Sequence, residues 1–457
     1  MPLADEALAP QGPRCHAFRG PLLHFLADPG PADSNPSAGA ASAPEALGDA
    51  VGYFSDGLLM VEDGRVLAAG VAADLLHRLD EGWTLTEYPD KLILPGFVDT
   101  HIHYPQTDMI AAPGEQLLQW LERYTFPVEG RFADAAHAAE VAEEFLDELL
   151  RNGTTTALVL ATVHRQSVDA FFAAAAARGL RMLAGKVLMD RNAPDFLTDT
   201  AASGYADSRA LIERWHGVDR LGYAITPRFA ATSTEAQLTQ TGRLAGEYPE
   251  VHVHTHLAEN LDEVAWVAKL FPWSRGYLDV YDRFGLLRER AVYAHCLHLD
   301  ADDRRRMAES GAAMAFCPTS NLFLGSGLFD LAAADASGVR VGLATDVGAG
   351  TSFGLLQTLG DAYKVLQLQG QSLSPLRAFY LATLGGARAL YLDRHIGNFE
   401  PGKEADFVVL DPAATPLMAR RMQCIGDLAE ELFLLMTLGD DRSVAATYAQ
   451  GELVHRR

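Results

Sequence analysis

Residues 92–391 alternate between short β-rich runs and helical patterns, and this alternation limits the fold more than any other feature of the chain. The predicted strands are Thr154–Leu160, Arg181–Val187, Leu221–Ile225, Val251–His256, Ala291–His295, Ala312–Phe316 and Val339–Ala344. The predicted helices between them include Ala135–Arg151, Ser167–Arg178, Thr234–Glu247, Asp262–Lys269 and Asp302–Ser310. Repeated strand–helix units indicate a parallel α/β sheet, and a strand count near eight favours a closed (β/α)8 TIM-like barrel.

An open, doubly wound sheet is the alternative to a barrel. The first predicted strand is not followed by a glycine-rich dinucleotide-binding turn, so the sequence favours the barrel. In such a barrel, polar residues at the carboxyl ends of strands are the catalytic candidates. The unusual polar residues of this chain fall at those positions.

The two ends of the chain share a different pattern, in which short strands alternate with turns. Residues 16–26 and 51–70 are predicted strands near the N-terminus. The segment 396–457 contains the apolar run Phe407–Leu410 and a further strand pattern at Ala445–Val454. The two ends therefore resemble parts of one β domain that a long insert interrupts.

We expect a small β-sandwich domain from residues 1–91 and 392–457, and a barrel catalytic domain from residues 92–391. The stretch Asp28–Ala50 is rich in Pro, Ala, Ser and Gly and is predicted to be a flexible loop.

Composition excludes several classes of partner and location. The chain lacks an apolar run of about eighteen residues, which a membrane helix requires, and its N-terminus lacks a signal-peptide pattern. Its net charge of −23 argues against nucleic acid as a partner. Four cysteines without CxxC spacing fit a reduced cytoplasm, and they are Cys15, Cys296, Cys317 and Cys424.

The segment Leu94–Gln106, LPGFVDTHIHYPQ, is the strongest chemical signal. His101 and His103 lie two residues apart at the end of an apolar run, so an extended chain presents both imidazoles on one face. Two imidazoles on one face can both bind a single metal ion. The His-x-His pattern also occurs in solvated loops that bind no metal.

A second histidine group alternates along the run from Val251 to His256, followed by Glu259. Three histidines on one face of a strand cannot all bind one ion. His256 is best placed at the strand end, whereas His252 and His254 are predicted to be core histidines. Glu259 could fold back over the same site, although a surface position is the commoner explanation for a single acid.

Two later strands also end in polar residues. His295 ends one apolar strand, and Asp346 follows another in the sequence Leu343-Ala344-Thr345-Asp346. A helix cap is an alternative role for Asp346. Because His101, His103 and His256 also lie at strand ends, we expect these side chains to form one polar cluster.

The order H-x-H, H-x-x-E, H and T-D resembles the amidohydrolase superfamily of metal-dependent barrel hydrolases, and within it the guanine deaminases. The HxH and TD motifs mark only the superfamily, whereas HYPQ, TPRF and CPTSNL are more specific. The matching segments are residues 95–106, 114–118, 226–229, 317–322 and 342–346, and the similarity extends through Ile396–Leu410.

The resemblance implies a zinc-dependent hydrolysis of guanine to xanthine and ammonia, by a cytoplasmic homodimer active in purine catabolism. It assigns one Zn²⁺ per chain to His101, His103, His256 and Asp346, ligand types that suit zinc. Glu259 resembles the proton shuttle, which takes a proton from the zinc water, passes it to ring N3 and later protonates the departing amine. His295 and Asp346 would orient the attacking oxygen.

The resemblance also implies a substrate site. Arg228 would donate to guanine O6, Phe229 would stack on or close over the ring, and Gln106 would read a ring edge. The residues alone favour a surface ion pair for Arg228 and a core position for Phe229. The full expected substrate-binding set is His103, Tyr104, Pro105, Gln106, Arg228, Phe229, Glu259 and Asp346.

Three further residues are predicted to have no chemical role. Lys186 lies where some amidohydrolases carry a carboxylated lysine, but the H-x-x-E pattern resembles the branch with one metal, so Lys186 is interpreted as structural. His298 is predicted to lie in a loop near the site, and Cys317 in its wall.

Alternative functions are an aminohydrolase acting on a pterin, triazine or nucleoside, and a non-catalytic scaffold. The scaffold is disfavoured because every expected ligand is present.

Overall fold

The computed structural model describes residues 14–30, 48–114 and 116–457. Most of the predicted Asp28–Ala50 loop, the N-terminal segment and Glu115 of the 114–118 motif lie outside these ranges. Within them, no helix combines the length and the apolar content that a membrane crossing requires.

The described residues form seventeen strands in two sheets. In chain order the strands are β1 Cys15–Phe25, β2 Val51–Glu62, β3 Arg65–Val71, β4 Trp83–Glu87, β5 Leu92–Pro95, β6 Phe97–His103, β7 Thr154–Leu160, β8 Arg181–Gly185, β9 Val187–Leu188, β10 Gly222–Pro227, β11 His252–Leu257, β12 Ala291–His295, β13 Ala313–Phe316, β14 Arg340–Leu343, β15 Phe407–Leu410, β16 Val444–Ala449 and β17 Glu452–Arg456.

The helices of the described residues lie mostly between barrel strands. They are α1 Ala72–Leu75, α2 Leu117–Trp120, α3 Phe126–Gly130, α4 Ala135–Arg151, α5 Arg165–Ala177, α6 Ala201–Trp215, α7 Glu235–Glu247, α8 Leu261–Leu270, α9 Tyr277–Arg283, α10 Ala301–Ser310, α11 Pro318–Phe323, α12 Leu331–Ser337, α13 Leu355–Gln367, α14 Pro375–Tyr380, α15 Gly386–Ala389, α16 Pro416–Met422 and α17 Leu428–Leu438. Segments of 3-10 helix occur at Leu76–Arg78, Tyr104–Met109, Arg131–Ala133, Asp195–Leu197, Ala230–Thr232 and Asp441–Ser443, and π-helical turns occur at Leu121–Thr125 and Leu381–Gly385.

The barrel contains eight parallel strands in the order β6-β7-β8-β10-β11-β12-β13-β14, and the short β9 pairs with β10. The first and last strands close it, because the Thr100 hydroxyl donates to the Leu343 carbonyl at 3.0 Å. Just beyond β14, the Asp346 N–H donates to the His101 carbonyl, also at 3.0 Å. The predicted (β/α)8 barrel is therefore confirmed, and its strands, such as β7 and β12, are buried along their whole length.

The predicted element bounds agree closely with the observed ones. Thr154–Leu160, Ala291–His295 and the helix Ala135–Arg151 match residue for residue. The predicted strand Arg181–Val187 is interrupted at Lys186, and the two pieces pair with different parts of β10.

The chain ends form one mixed sheet in the order β17-β16-β15-β5-β1-β2-β3, with β4 also paired to β1. Its strand β5 (Leu92–Pro95) pairs antiparallel with Phe407–Leu410, so the structure corrects the predicted start of the barrel from residue 92 to the strand that begins at Phe97. Gly96 separates the two, and a Cβ there would overlap the Thr155 side chain.

The structure also contains two C-terminal helices that were not predicted. Helix α17 is mostly apolar, begins at the side-chain cap Asp427, and packs against α13 and α14 of the barrel. Its burial against the barrel, rather than local sequence preference, stabilises it.

Candidate metal centre and substrate cavity

Four predicted ligands meet at the carboxyl ends of three barrel strands. His101 and His103 end β6, His256 lies near the end of β11, and Asp346 follows β14. The Asp346 Oδ1 atom lies 3.1 Å from His101 Nε2 and 3.3 Å from His103 Nε2. The His256 Nε2 atom lies 3.2 Å from His103 Nε2. The structure thus brings all four predicted ligands together.

The His256 and His101 rings each form a hydrogen bond through Nδ1, and this contact directs the Nε2 atom of each ring toward the site. The His256 Nδ1 atom lies 2.6 Å from the Arg228 carbonyl, which accepts only, so Nδ1 carries the proton and Nε2 keeps its lone pair. His101 Nδ1 lies 2.7 Å from His254 Nε2, so a neutral His101 that donates there also presents an Nε2 lone pair. Such second contacts are typical of metal-binding histidines.

This donor set fits a cation. The Nε2 atoms of His103 and His256 face each other, and among the described residues the buried His101 Nε2 has no hydrogen-bond partner. His101, His103 and Asp346 have ligand atoms close enough to share one ion. Three imidazoles and one carboxylate suit Zn²⁺ with a position left for water.

The protonation of the cluster also suits metal binding. Burial lowers the pKa of His101 to about 4, and burial with neighbouring imidazoles lowers that of His256 well below its usual range. Burial raises the pKa of Asp346, but His101 and His103 outweigh it and hold the pKa well below its ordinary value. Neutral imidazoles and an ionised carboxylate are the forms that bind metal.

Glu259 and His295 lie beside the four ligands. The Glu259 Oε2 atom is 3.4 Å from His295 Nε2, and its Oε1 atom accepts from the Ser326 hydroxyl at 3.0 Å. His295 Nε2 is also 3.7 Å from Asp346 Oδ2, and its Nδ1 lies 2.9 Å from Asn321 Oδ1. Because that amide oxygen only accepts, His295 donates from Nδ1 and turns Nε2 toward the carboxylates.

Burial raises the pKa of Glu259 to about 7, although His295 opposes the shift. Burial lowers the pKa of His295, but Glu259 and Asp346 outweigh it, so the pKa lies above its ordinary value. Titratable groups whose pKa values are shifted by burial and by neighbouring charges are typical of catalytic sites.

The start of α8 holds Glu259 in place. The Asn260 side chain caps the helix, and the buried Glu263 carboxylate accepts from the backbone N–H groups of Glu259 at 2.9 Å and Asn260 at 3.2 Å. Tyr277 donates to the other Glu263 oxygen at 2.6 Å. Glu259 therefore belongs to a fixed turn rather than to a mobile surface loop.

Two site residues have backbone conformations that favour glycine. His295 has φ = 71° and Asp346 has φ = 52°, both in the left-handed region. Non-glycine residues reach that region at a cost, and such strain concentrates at functional sites. Here it turns each side chain from the end of its strand toward the cluster.

A cleft opens onto the cluster. Its polar wall includes Gln106 and Arg228, and Phe229 also lines it. Its apolar wall consists of Leu117, Trp120, Leu121, Leu324 and Ala349. A flat heterocycle with polar edges suits such a cleft.

Arg228 is buried, which corrects the surface ion pair favoured by the residues alone. It is 2% exposed, and its Nη1 donates to the Glu129 Oε2 atom at 2.6 Å. Glu129 is fully buried, and its Oε1 atom accepts from the Gln106 side-chain amide at 3.1 Å. Gln106 and Arg228 are thus linked through a carboxylate that sequence reasoning missed.

Tyr104 and Pro105 lie outside the set of described residues that line the cleft, so the cleft geometry does not support their predicted contact with the substrate. The strand ends at His103 and a helical turn follows, so Tyr104 rotates outward. Its ring packs among Phe132, Phe145 and Phe171 and its hydroxyl donates to the Ser167 carbonyl at 2.7 Å.

The residues predicted to have no chemical role occupy structural positions. Lys186 forms a buried ion pair with Asp199. His298 lies 3.0 Å from the Ser326 carbonyl. Cys317 approaches His295 and Asp346, but burial raises its pKa well above the usual range and the thiol donates to the Ala315 carbonyl at 3.4 Å, so it forms part of the wall.

The two core histidines differ from each other. His252 bonds to the Leu390 carbonyl at 2.8 Å, far from the ligands along its strand. His254 instead contacts the ligand His101 and so helps to orient it.

Besides Glu129, two acids that support the site were missed, and only one of these two has a sequence signal. Glu263 follows the cap Asn260 by three residues, which is a recognisable capping box. Asp99 accepts from the backbone of His101 at 3.2 Å and from Thr345, next to Asp346. Its contact with Thr345 spans 246 residues and has no local signal.

Comparison with known proteins identifies consistent relatives. The model of the Amidohydrolase family matches residues 92–454. The chain is 56% identical over 414 residues to guanine deaminase of Escherichia coli (strain K12), covering 91% of this chain and 94% of that protein. It is 36% identical over 377 residues to guanine deaminase of Homo sapiens, covering 80% and 83%.

Solved structures agree with these sequence comparisons. The structure of E. coli guanine deaminase matches with a TM-score of 0.91 and 53% identity, covering 97% of this chain and all of that one (100%). Guanine deaminase from C. acetobutylicum, determined with bound guanine in the active site, matches with a TM-score of 0.85 and 27% identity, covering 96% and 100%.

Proposed function

This chain belongs to the amidohydrolase family, and we propose that it is a guanine deaminase, which converts guanine and water to xanthine and ammonia. One observation carries the proposal. A single cleft is lined by the polar cluster at one side and by Arg228, Gln106 and Phe229 at another. The similarity to guanine deaminases over most of the chain supports the same conclusion.

The proposed metal ligands are His101, His103, His256 and Asp346, with one Zn²⁺ per chain. The orientation of the His101 and His256 rings supports this set. A zinc ion bound there would act as a Lewis acid and lower the pKa of a water toward about 7.

Glu259 is the proposed proton carrier. It takes a proton from the water as the oxygen bonds to ring C2, and it delivers that proton to ring N3. The regenerated carboxylate then takes the second proton, from the new C2 hydroxyl, and transfers it to the 2-amino group. The C2–N bond breaks, ammonia leaves, and the C2 oxygen becomes a carbonyl. Its place 3.4 Å from His295, in a buried site that excludes bulk water, supports this role.

His295 and Asp346 orient the attacking oxygen in this proposal. His295 is held by Asn321 on one side and faces both carboxylates with its other nitrogen. The substrate site comprises Arg228, Gln106 and Phe229, together with His103, Glu259 and Asp346 where they border the cleft. Arg228 donates to guanine O6, and a donor there disfavours the 6-amino group of adenine, which cannot accept as a carbonyl does.

We also propose a homodimer, a cytoplasmic location and a role in purine catabolism. The four cysteines all lie within the described residues and none of them forms a disulfide, which supports a reducing compartment. The homodimer rests on the resemblance to the guanine deaminases, and light scattering of the purified protein tests it.

An ammonia-release assay with metal analysis on the same sample tests the function. The substrates are guanine, adenine, cytosine and a pterin. We expect release from guanine alone and about one zinc per chain, as a mononuclear site requires. Release from another ring, with the same zinc content, would contradict the specificity assigned to Arg228 and Gln106. A protein without zinc and without release would contradict the enzyme assignment.

A further inference from the structure

Glu129 lies directly behind the two polar side chains that line the cleft. It belongs to the short helix α3 (Phe126–Gly130) and is fully buried. Its two oxygens accept from different residues, Oε1 from Gln106 and Oε2 from Arg228. Glu129 itself lies outside the set of described residues that line the cleft.

These contacts determine which way the Gln106 amide faces. Its Oε1 atom accepts from the Gly348 N–H at 3.1 Å, and its Nε2 donates to Glu129 at 3.1 Å. A backbone N–H can only donate and a carboxylate can only accept, so the opposite amide orientation would lose both hydrogen bonds. One N–H and one oxygen lone pair of Gln106 remain for a ligand.

The same carboxylate orients Arg228 and balances its charge. The bond at 2.6 Å uses Nη1 and leaves the other guanidinium N–H groups for a ligand. Glu129 also neutralises the arginine inside the protein, where an unpaired charge is costly. The pair therefore offers hydrogen-bond donors to a carbonyl oxygen without a net positive charge that attracts anions.

We propose that Glu129 is a positioning residue that determines selectivity for a purine with a 6-oxo group. It acts through Arg228 and Gln106 and does not touch the substrate. This inference rests on the proposed function, because it takes the substrate to be a 6-oxopurine.

A purely structural role for Glu129 makes a different prediction. A carboxylate that only held α3 against the barrel would, when removed, weaken all ligands of the cleft in the same proportion. A residue that aligns Arg228 with one substituent would weaken ligands that carry that substituent more than ligands that lack it.

The test replaces Glu129 by glutamine, which has nearly the same shape. Glutamine has only one acceptor oxygen, so it cannot accept from Gln106 and Arg228 through separate oxygens as glutamate does. Hypoxanthine carries a 6-oxo group and an N1 proton that purine lacks, so the ratio of their inhibition constants against guanine deamination reports on the ring edge that carries the 6-oxo group. We expect hypoxanthine to inhibit the wild type more tightly than purine does. In E129Q that preference falls about 10-fold or more, the range for losing a hydrogen bond to a charged group. We expect kcat/KM for guanine to fall mainly through KM.

Asp199→Asn is the matched control. It also removes a carboxylate from a buried cation, since Asp199 pairs with Lys186 between β8 and β9, but neither residue lines the cleft. We expect D199N to leave the ratio of the two inhibition constants unchanged.

Where E129Q is unstable or inactive, Glu129→Asp keeps the charge one methylene farther away, and calorimetry measures the binding of both purines directly. We expect a partial loss of the preference in E129D.

The possible results separate this inference from the proposed function. A wild type that neither deaminates guanine nor binds hypoxanthine overturns the proposed function. A wild type that does both, with an unchanged ratio in E129Q, overturns the role of Glu129 alone. A ratio that changes equally in E129Q and D199N also overturns it, because a general structural effect then explains the result.

Discussion

Two buried ionic clusters lie at opposite ends of the barrel, and they differ in how completely their charges are paired. The base cluster consists of Arg181, Arg220, Glu404 and Asp406 and joins the amino ends of barrel strands to the sheet of the chain ends. Arg220 Nη1 bonds to Glu404 at 2.9 Å and to Asp406 at 2.7 Å, while Arg181 also bonds to Glu404.

The cluster at the other end leaves nitrogen atoms unpaired. Among the described residues, the buried His101 Nε2 and His295 Nε2 form no hydrogen bond of good geometry, although carboxylate oxygens lie 3.1 Å and 3.4 Å away. Buried polar groups in native proteins are normally satisfied, so such exceptions need an explanation. The base cluster is complete without a ligand and therefore serves stability, whereas the site cluster is completed only by what it binds.

The largest effect that this comparison predicts is on activity. Glu259→Gln removes the proposed proton carrier from the site cluster but keeps its size and its acceptor for Ser326. We expect kcat for ammonia release to fall about 10³- to 10⁴-fold, the upper range for general acid–base catalysis. Zinc content, measured on the same sample, should stay at the wild-type value, because Glu259 is not a proposed ligand.

Arg209→Met is the control for handling and expression, since Arg209 is exposed on α6. Its activity should equal that of the wild type. Wild-type activity in E259Q would contradict the proton-carrier role and would place the chemistry elsewhere in the cluster.

Sequence patterns predicted the barrel and the polar cluster because their signals are local. Each strand is a short apolar run, and His101, His103, His256 and Asp346 each lie at the end of such a run, so the cluster was predicted one strand at a time. Their roles as metal ligands came from the family resemblance. The TIM barrel then requires these ends to lie on one face.

The missed features depend on contacts between distant parts of the chain. Glu129 meets Arg228 across 99 residues, and nothing near it in sequence indicates that contact. Strand β5 belongs to the sheet of the chain ends only because Phe407–Leu410 pairs with it. Tyr104 was assigned to the substrate site by its place in the HYPQ segment, and the helical turn that begins there directs its side chain away from the cleft.

Removal of zinc should affect the site cluster and leave the base cluster unchanged. An ion that binds only the folded state stabilises it by about 4 kcal/mol when its free concentration is 1,000 times the dissociation constant. We therefore expect a chelator to lower the midpoint of thermal unfolding, and added zinc to restore it. In His256→Ala the midpoint should respond to neither treatment. An equal response in wild type and H256A would contradict the proposed ligand set.

Arg220→Met tests the other cluster. It leaves the Asp406 carboxylate buried without its cation, and Arg220 and Asp406 are 6% and 2% exposed at the side chain. Breaking a buried pair from one side costs about 3–5 kcal/mol, so we expect the urea midpoint to fall well below that of the wild type. The kcat of the folded protein should stay within about twofold, because Arg220 lies at the end of the barrel away from the cleft.

The exposed pair Arg209–Glu213 provides the comparison for R220M. Its side chains are 51% and 54% exposed, and surface pairs of this kind contribute about 0–1 kcal/mol. Arg209→Met should therefore shift the urea midpoint little. Similar shifts in R209M and R220M would show that the base cluster does not stabilise the joint between the two sheets.

The smallest expected effect is the pH dependence of the base cluster. Burial raises the pKa of Glu404, but hydrogen bonds and charges from Arg181 and Arg220 outweigh it and hold the pKa below its ordinary value. A carboxylate with a depressed pKa in the folded state stabilises the protein at pH values above its unfolded pKa, about 4.3, and loses that contribution as the pH falls toward the folded value.

Glu404→Gln should therefore destabilise the protein at neutral pH, and its difference from the wild type should shrink as the pH falls below about 4.3, where Glu404 begins to protonate. Urea unfolding of both proteins across that range measures the difference. Because Glu404 is 4% exposed at the side chain, the trend should persist in about 1 M salt, which screens exposed pairs such as Arg209–Glu213. A difference in stability between wild type and E404Q that grows on acidification would contradict this prediction. It would mean that the folded protein favours the protonated form of Glu404, so that the charge of Glu404 does not stabilise the base cluster.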